Sequence, residues 1–139
     1  MNTEQAREFY RQYLDTLYHE RRISEFPRFF HESVVVHPPF PGELSFAGVR
    51  GATQMLVEGF SDFRVTPGPF LYADNMIAAR LTVTGTHTGP YMGIPPTGKK
   101  IQAVAHTHYR LHEGKIAELW DCTDALSLLQ QLGVLPPMP

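Results

Sequence analysis

The sequence predicts a single α+β domain: a curved antiparallel sheet wrapped on N-terminal helices, closed by a short C-terminal helix. Three observations carry this. The first thirty residues repeat apolar positions at helical spacing. From Arg64 onward, runs rich in Val, Ile, Thr and Tyr alternate with turn dipeptides. The 139 residues, 42% apolar and 19% charged, suffice for one core and show no repeat, linker or low-complexity segment. Residues 1–139 are therefore read as one domain.

Ala6, Phe9, Tyr10, Tyr13, Leu14, Leu17 and Tyr18 recur three and four apart, which places them on one face of an opening helix. Asn2 or Thr3 can cap it, because a short side-chain oxygen accepts from the free N–H groups of the first turn. A second short helix is expected over Ser24 to Phe30, with Pro27 tolerated in its first turn. Ser33 to His37 is β-branched and short, so it reads as a strand. The prolines from Pro38 to Pro41 cannot supply ladder donors and make a loop. A helix follows from about Gly51 to Phe60, with Ala52, Met55, Leu56 and Phe60 on its buried side. Strands are expected near 64–72, 76–88, 100–112 and 115–122, with turns at Asp74-Asn75 and Glu113-Gly114. Between the middle two lies a loop, Gly89 to Gly98, stiffened by proline. The last helix, Ala125 to Leu132, ends at Gly133 and Pro136.

Composition excludes several classes. A net charge of −2 without a basic stripe disfavours a nucleic-acid partner. No apolar run approaches the ~20 residues of a membrane-spanning helix, and the N-terminus lacks the pattern of a signal peptide. The single cysteine, Cys122, rules out an intramolecular disulfide and fits a reducing, cytoplasmic setting. Cys122 lacks a nearby activating cation in sequence and reads as an inert buried thiol.

Gly85-Thr86-His87-Thr88-Gly89 followed by Gly93-Ile94-Pro95-Pro96-Thr97-Gly98 resembles the central signature of the SnoaL-like polyketide cyclase (ester cyclase) family. Tyr109-Arg110, Gly114-Lys115-Ile116, Glu118, Trp120, Asp124 and Gln130 to Gly133 resemble that family's C-terminal half. The resemblance implies the cone-shaped α+β fold shared with nuclear transport factor 2. It also implies cofactor-free acid/base chemistry of the aldol type, closing a ring in a carbonyl-rich, hydrophobic small molecule. The expected partners are such a ligand and a second copy of the chain.

Aldol ring closure needs a base for a proton beside carbonyls and a donor for the resulting oxyanion. A carboxylate in an apolar pocket suits the base role, since desolvation raises its pKa. Asp121, Asp124 and Glu118 are the candidates, and the resemblance favours Asp124. Asp124 is equally suited to cap the last helix. A tight turn at Glu113-Gly114 pairs Leu111 with Ile116 and, counting back, His106 with Asp121, an arrangement that orients a histidine as acid/base. A turn one residue longer puts His106 opposite Trp120 instead. His37, at the end of the first strand, is a candidate ligand contact, and His87 a weaker one. Arg110 suits an ion pair with Glu113 or Glu118. An internal cavity is expected between sheet and helices, lined by aromatics such as Tyr13 or Trp120.

Three rival readings remain. His106-Thr107-His108 followed by Glu113 mimics a cupin metal motif, but Glu113 sits in a turn and the coordination set is incomplete, so no metal is expected. A non-catalytic binding or dimerisation module would use the same fold. An epoxide hydrolase or isomerase would need a different polar set. Thr and Val on both faces of Leu81 to Thr84 suggest a homodimer packed sheet against sheet.

Overall fold

The computed structural model describes residues 1–137. Helix α1 spans Thr3–Leu14 and is capped by Asn2, whose side chain accepts from the Gln5 N–H while the Gln5 side chain accepts from the Asn2 N–H. Asp15–His19 continues it as a π-helical turn. A 3₁₀ turn at Ile23–Glu25 leads into α2, Phe26–Phe29, and strand β1 begins at once, Phe30–His37. The helix expected over 24–30 is thus shorter, and the strand starts three residues earlier. Phe26 and Phe30 stack at 4.2 Å across that junction, and both are fully buried.

Helix α3, Phe46–Gly59, starts five residues before the expected position because Ser45 caps it, accepting from the Gly48 N–H. That start includes Val49 on a buried face continued by Thr53, Val57 and Phe60. Ala52 and Met55, expected inside, are exposed. The stripe follows i, i+4, i+8, and a helix begun at Gly51 is too short to reveal it.

Strands β2 (Arg64–Ala73), β3 (Met76–Thr86), β4 (Lys100–His112) and β5 (Lys115–Thr123) form an antiparallel meander, and α4 covers Ala125–Gln131. Asp74-Asn75 and Glu113-Gly114 make the two tight turns, with all four residues at positive φ. The order is β1-β5-β4-β3-β2, and β1 joins β5 in parallel. The sheet is therefore mixed and open.

Alternation defines its two faces. On β4, Ile101, Ala103, Ala105, Thr107, Tyr109 and Leu111 are buried and point inward, while His106, His108 and Arg110 are exposed on the outer face. The inward face packs on α1, whose Tyr10 and Tyr13 each lie edge to face on Tyr109 of β4, at 5.5 and 5.8 Å. Each such aromatic pair adds about 0.5–1.5 kcal/mol beyond area burial.

Candidate functional site

One irregularity decides which side chains meet. Leu111 pairs with Ile116 as expected, but Arg110 pairs with Glu118, so Ala117 is an extra residue bulged out of β5. Every later partner moves by one. His106 faces Cys122, Thr107 faces Asp121 and His108 faces Trp120. The expected His106–Asp121 pair does not form: the two side chains lie on opposite faces of the sheet.

The outer face collects most of the expected ligand contacts. His37 stacks on Trp120 with ring centroids 5.4 Å apart, and its Nε2 lies 2.8 Å from Glu118. Arg110 Nε donates to the other Glu118 oxygen at 3.3 Å. The hydrogen bond to His37 holds the Glu118 carboxyl below the usual carboxylate range, and the bond to Arg110 reinforces this. Trp120, expected to line the interior, is part of this outer cluster. Cys122, expected to be buried, is exposed beside His106. His106 and His108 project from the same face while Glu113 sits in the turn, and among the described residues no three such groups converge as metal ligands.

Asp124 lies at the end of β5 and is exposed; its Oδ1 accepts from the Ser127 N–H at 3.1 Å. It is the cap of α4. The apolar surroundings expected of a base are not present there.

Asp121 does have them. It faces inward, beside Thr107 and half-buried, with Thr123 Oγ1 donating to it at 2.8 Å. Burial pushes its carboxyl above the usual range, and the Thr123 hydrogen bond only partly opposes this. Two phenols stand close enough to feel its charge, Tyr18 from the π-helical turn and Tyr91 from the proline loop; burial and the Asp121 carboxylate both raise their pKa. Thr53 of α3 and the buried Tyr13 complete the surroundings: the Tyr13 and Tyr18 hydroxyls are 3.4 Å apart. Asp121, Tyr18 and Tyr91 all keep partial exposure although they face inward, so solvent reaches this end of the interior.

Tyr18, Tyr91 and Thr53 are the residues that sequence reasoning missed. Tyr18 continues the apolar stripe of α1, and nothing in the spacing separates it from core. Tyr91 lies within the loop signature, but its inward direction depends on packing against Gly59 and Phe60.

The proline loop is tied down by His87, which is fully buried. Its Nδ1 accepts from the Thr97 N–H at 3.2 Å, and Gly98 N–H donates to its carbonyl at 2.8 Å. That fits a structural anchor.

A cavity between the sheet and α1 was expected. The two hollows resolved on the surface, about 420 Å³ along Glu4 to Gln12 and about 430 Å³ between Asp62, Lys100 and Gln131, are open and lie elsewhere. Tyr10, Tyr13, Phe29, Phe30 and Tyr109 fill the space against α1.

A curved, open five-stranded sheet closed by N-terminal helices defines a domain of the nuclear transport factor 2-like class. The chain matches the SnoaL-like polyketide cyclase family over residues 6–132 and belongs to it. Solved structures agree. AclR from Streptomyces galilaeus, named as a candidate hydroxylase, is 25% identical with a TM-score of 0.81, over 98% of this chain and 83% of that one. A SnoaL-like polyketide cyclase candidate from Jannaschia sp. CCS1 is 18% identical with a TM-score of 0.85, over 96% and 94%. IdmH from Streptomyces antibioticus, a polyketide cyclase candidate, is 23% identical with a TM-score of 0.77, over 91% and 97%. Among curated protein sequences none matches.

Proposed function

We propose that the chain performs cofactor-independent acid/base chemistry of the aldol type on a carbonyl-rich, hydrophobic small molecule, with Asp121 as the base. The carrying observation is Asp121 itself: inward, half-buried, and with a carboxyl made more basic by desolvation. Family membership supports the reaction class.

In this mechanism the Asp121 carboxylate takes a proton from a carbon flanked by carbonyls. The C–H electron pair becomes the enolate, whose carbon attacks a second carbonyl and forms the ring bond. The new alkoxide recovers the proton from Asp121. Nothing is gained or lost overall, so the substrate and the base suffice. The carboxyl remains a modest base, so the substrate C–H must be acidified by two neighbouring carbonyls.

Hydrogen–deuterium exchange at the activated carbon of β-ketoesters in D₂O, followed by NMR, tests the base without knowledge of the natural substrate. The parent protein is expected to accelerate exchange and Asp121→Asn to lose that acceleration on the order of a hundredfold or more. Equal exchange in both proteins would remove Asp121 from the role.

The non-catalytic binding module is the second reading. It is favoured by the use of Asp124 as a cap and by the aromatic filling against α1. It predicts ligand binding with no exchange in any variant.

A further inference from the structure

We propose that Thr123 is the positioning residue of the base: its hydroxyl occupies Oδ1 of Asp121 and leaves Oδ2 as the oxygen that takes and returns the substrate proton. This assignment rests on the reading of Asp121 as base and names the atom at which the proton is carried.

Strand alternation puts Thr123 on the inner face two residues after Asp121, and its Oγ1 lies 2.8 Å from Asp121 Oδ1. A carboxylate only accepts, so the hydroxyl is the donor in this bond. The other oxygen, Oδ2, has no hydrogen-bond partner among the described residues and is open to solvent. The two oxygens of one carboxylate are therefore unlike: the protein holds one, and an incoming molecule can reach the other.

The hydroxyl is itself held in place. Thr123 is the last residue of β5 and pairs with Ala105, and the next N–H, that of Asp124, donates to the Val104 carbonyl at 2.9 Å. Helix α4 begins directly afterwards. The backbone is clamped on both sides of the side chain, and a β-branched residue has few rotamers.

The bond serves both halves of the reaction. While Asp121 is ionised, the donor at Oδ1 keeps the carboxyl plane from turning, so Oδ2 stays where the substrate C–H arrives. Once the proton is on Oδ2, the same hydroxyl still donates to Oδ1 and disfavours protonation there. The proton then returns from Oδ2 to the new alkoxide. The groups packed around the carboxyl on this face are uncharged: Thr107 and Ala105 of β4, Thr53 of α3, and the phenols Tyr18 and Tyr91. Helix α4 carries no charged residue, and Arg80 and Arg110 lie on the outer face. No other donor replaces Thr123 when its hydroxyl is removed.

The test is the pH dependence of deuterium exchange into a β-ketoester, above the uncatalysed background, for the parent, Thr123→Val, Thr123→Ala and Thr123→Ser. Thermal melts confirm that each variant folds. Exchange rises with pH as Asp121 ionises. Without the donor the carboxylate loses a stabilising bond, so Thr123→Val and Thr123→Ala should move this rise to higher pH. They should also lower the high-pH plateau of kcat about tenfold while KM stays within about twofold. A more basic carboxylate that kept its alignment would raise the plateau, so a fall reports position and not basicity. Thr123→Ser keeps the donor and should stay within about threefold of the parent. A rise at unchanged pH, a plateau that Thr123→Val and Thr123→Ala leave unchanged or raise, or no rescue by serine overturns the assignment. Exchange abolished by Asp121→Asn but unimpaired by Thr123→Val removes the positioning role alone. Exchange indifferent to both substitutions removes the base, and the positioning role with it.

Discussion

At the scale of single residues, two aspartates three positions apart do different work because they end in different solvents. Asp121 is desolvated and its carboxyl is pushed up, so its protonated form suits the fold better than its ionised form. That contribution is complete below the unfolded pKa of about 3.9 and is lost as pH rises through the higher folded value. Asp121→Asn, which imitates the neutral acid, is therefore expected to melt above the parent at pH 7, the gap closing as pH falls toward 4. Melts from pH 4 to 8 check this, and a variant less stable at neutral pH would contradict the desolvation. Asp124 is water-exposed and accepts from the Ser127 N–H. Asp124→Ala is expected to cost about 1 kcal/mol of stability and Asp124→Asn almost nothing, with deuterium exchange unchanged in both. Lost exchange in a folded Asp124→Asn protein would return the base to that position.

Among the elements, the proline loop and the bulged strand matter most to the site. Gly89 N–H donates to the Gly59 carbonyl at 3.0 Å, and a β-carbon at Gly89 would overlap the Glu58 carbonyl oxygen. Only glycine lets the loop approach the end of α3 so closely, and that approach sets Tyr91 against Phe60. Gly89→Ala is expected to cost about 1–3 kcal/mol, read as a lower thermal midpoint. The element boundaries show what sequence can supply at this scale. The tight turns at Asp74-Asn75 and Glu113-Gly114, the cap of α4 and the long strands were legible, because each depends on residues adjacent in the chain. The bulge at Ala117 was not. Its residue has no turn signal, and an extra residue in β5 is recognised only when β4 lies beside it. That single residue reverses the face of Trp120 relative to Ile116 and separates His106 from Asp121.

For the whole molecule, the expected homodimer concerns the outer face. Thr82, Thr84, Val104 and Trp120 are half-buried there, among exposed Arg80, His106 and His108. Two copies packed through this face should scatter light as a particle of twice the 15.7 kDa chain mass. A monomer at high micromolar concentration would retire the expectation. No helix among the described residues is long and apolar enough to cross a membrane.

The sequence by itself determined the α+β class, the order of elements, the stripe of α1 and the family. Helical periodicity, strand alternation and turn chemistry are local, and the family signature is contiguous from Gly85 to Gly98. It also offered Asp121, Asp124 and Glu118 as candidates for a base. Tertiary structure alone distributed these three among the interior, a helix cap and an outer-face ion pair. It brought Tyr18 and Tyr91, 73 positions apart in the chain, to the same carboxylate. The reason is physical: a carboxyl's basicity follows its desolvation, and desolvation is set by which face a strand residue occupies and by what packs over that face. Both depend on partners distant in sequence, and here on one bulged alanine.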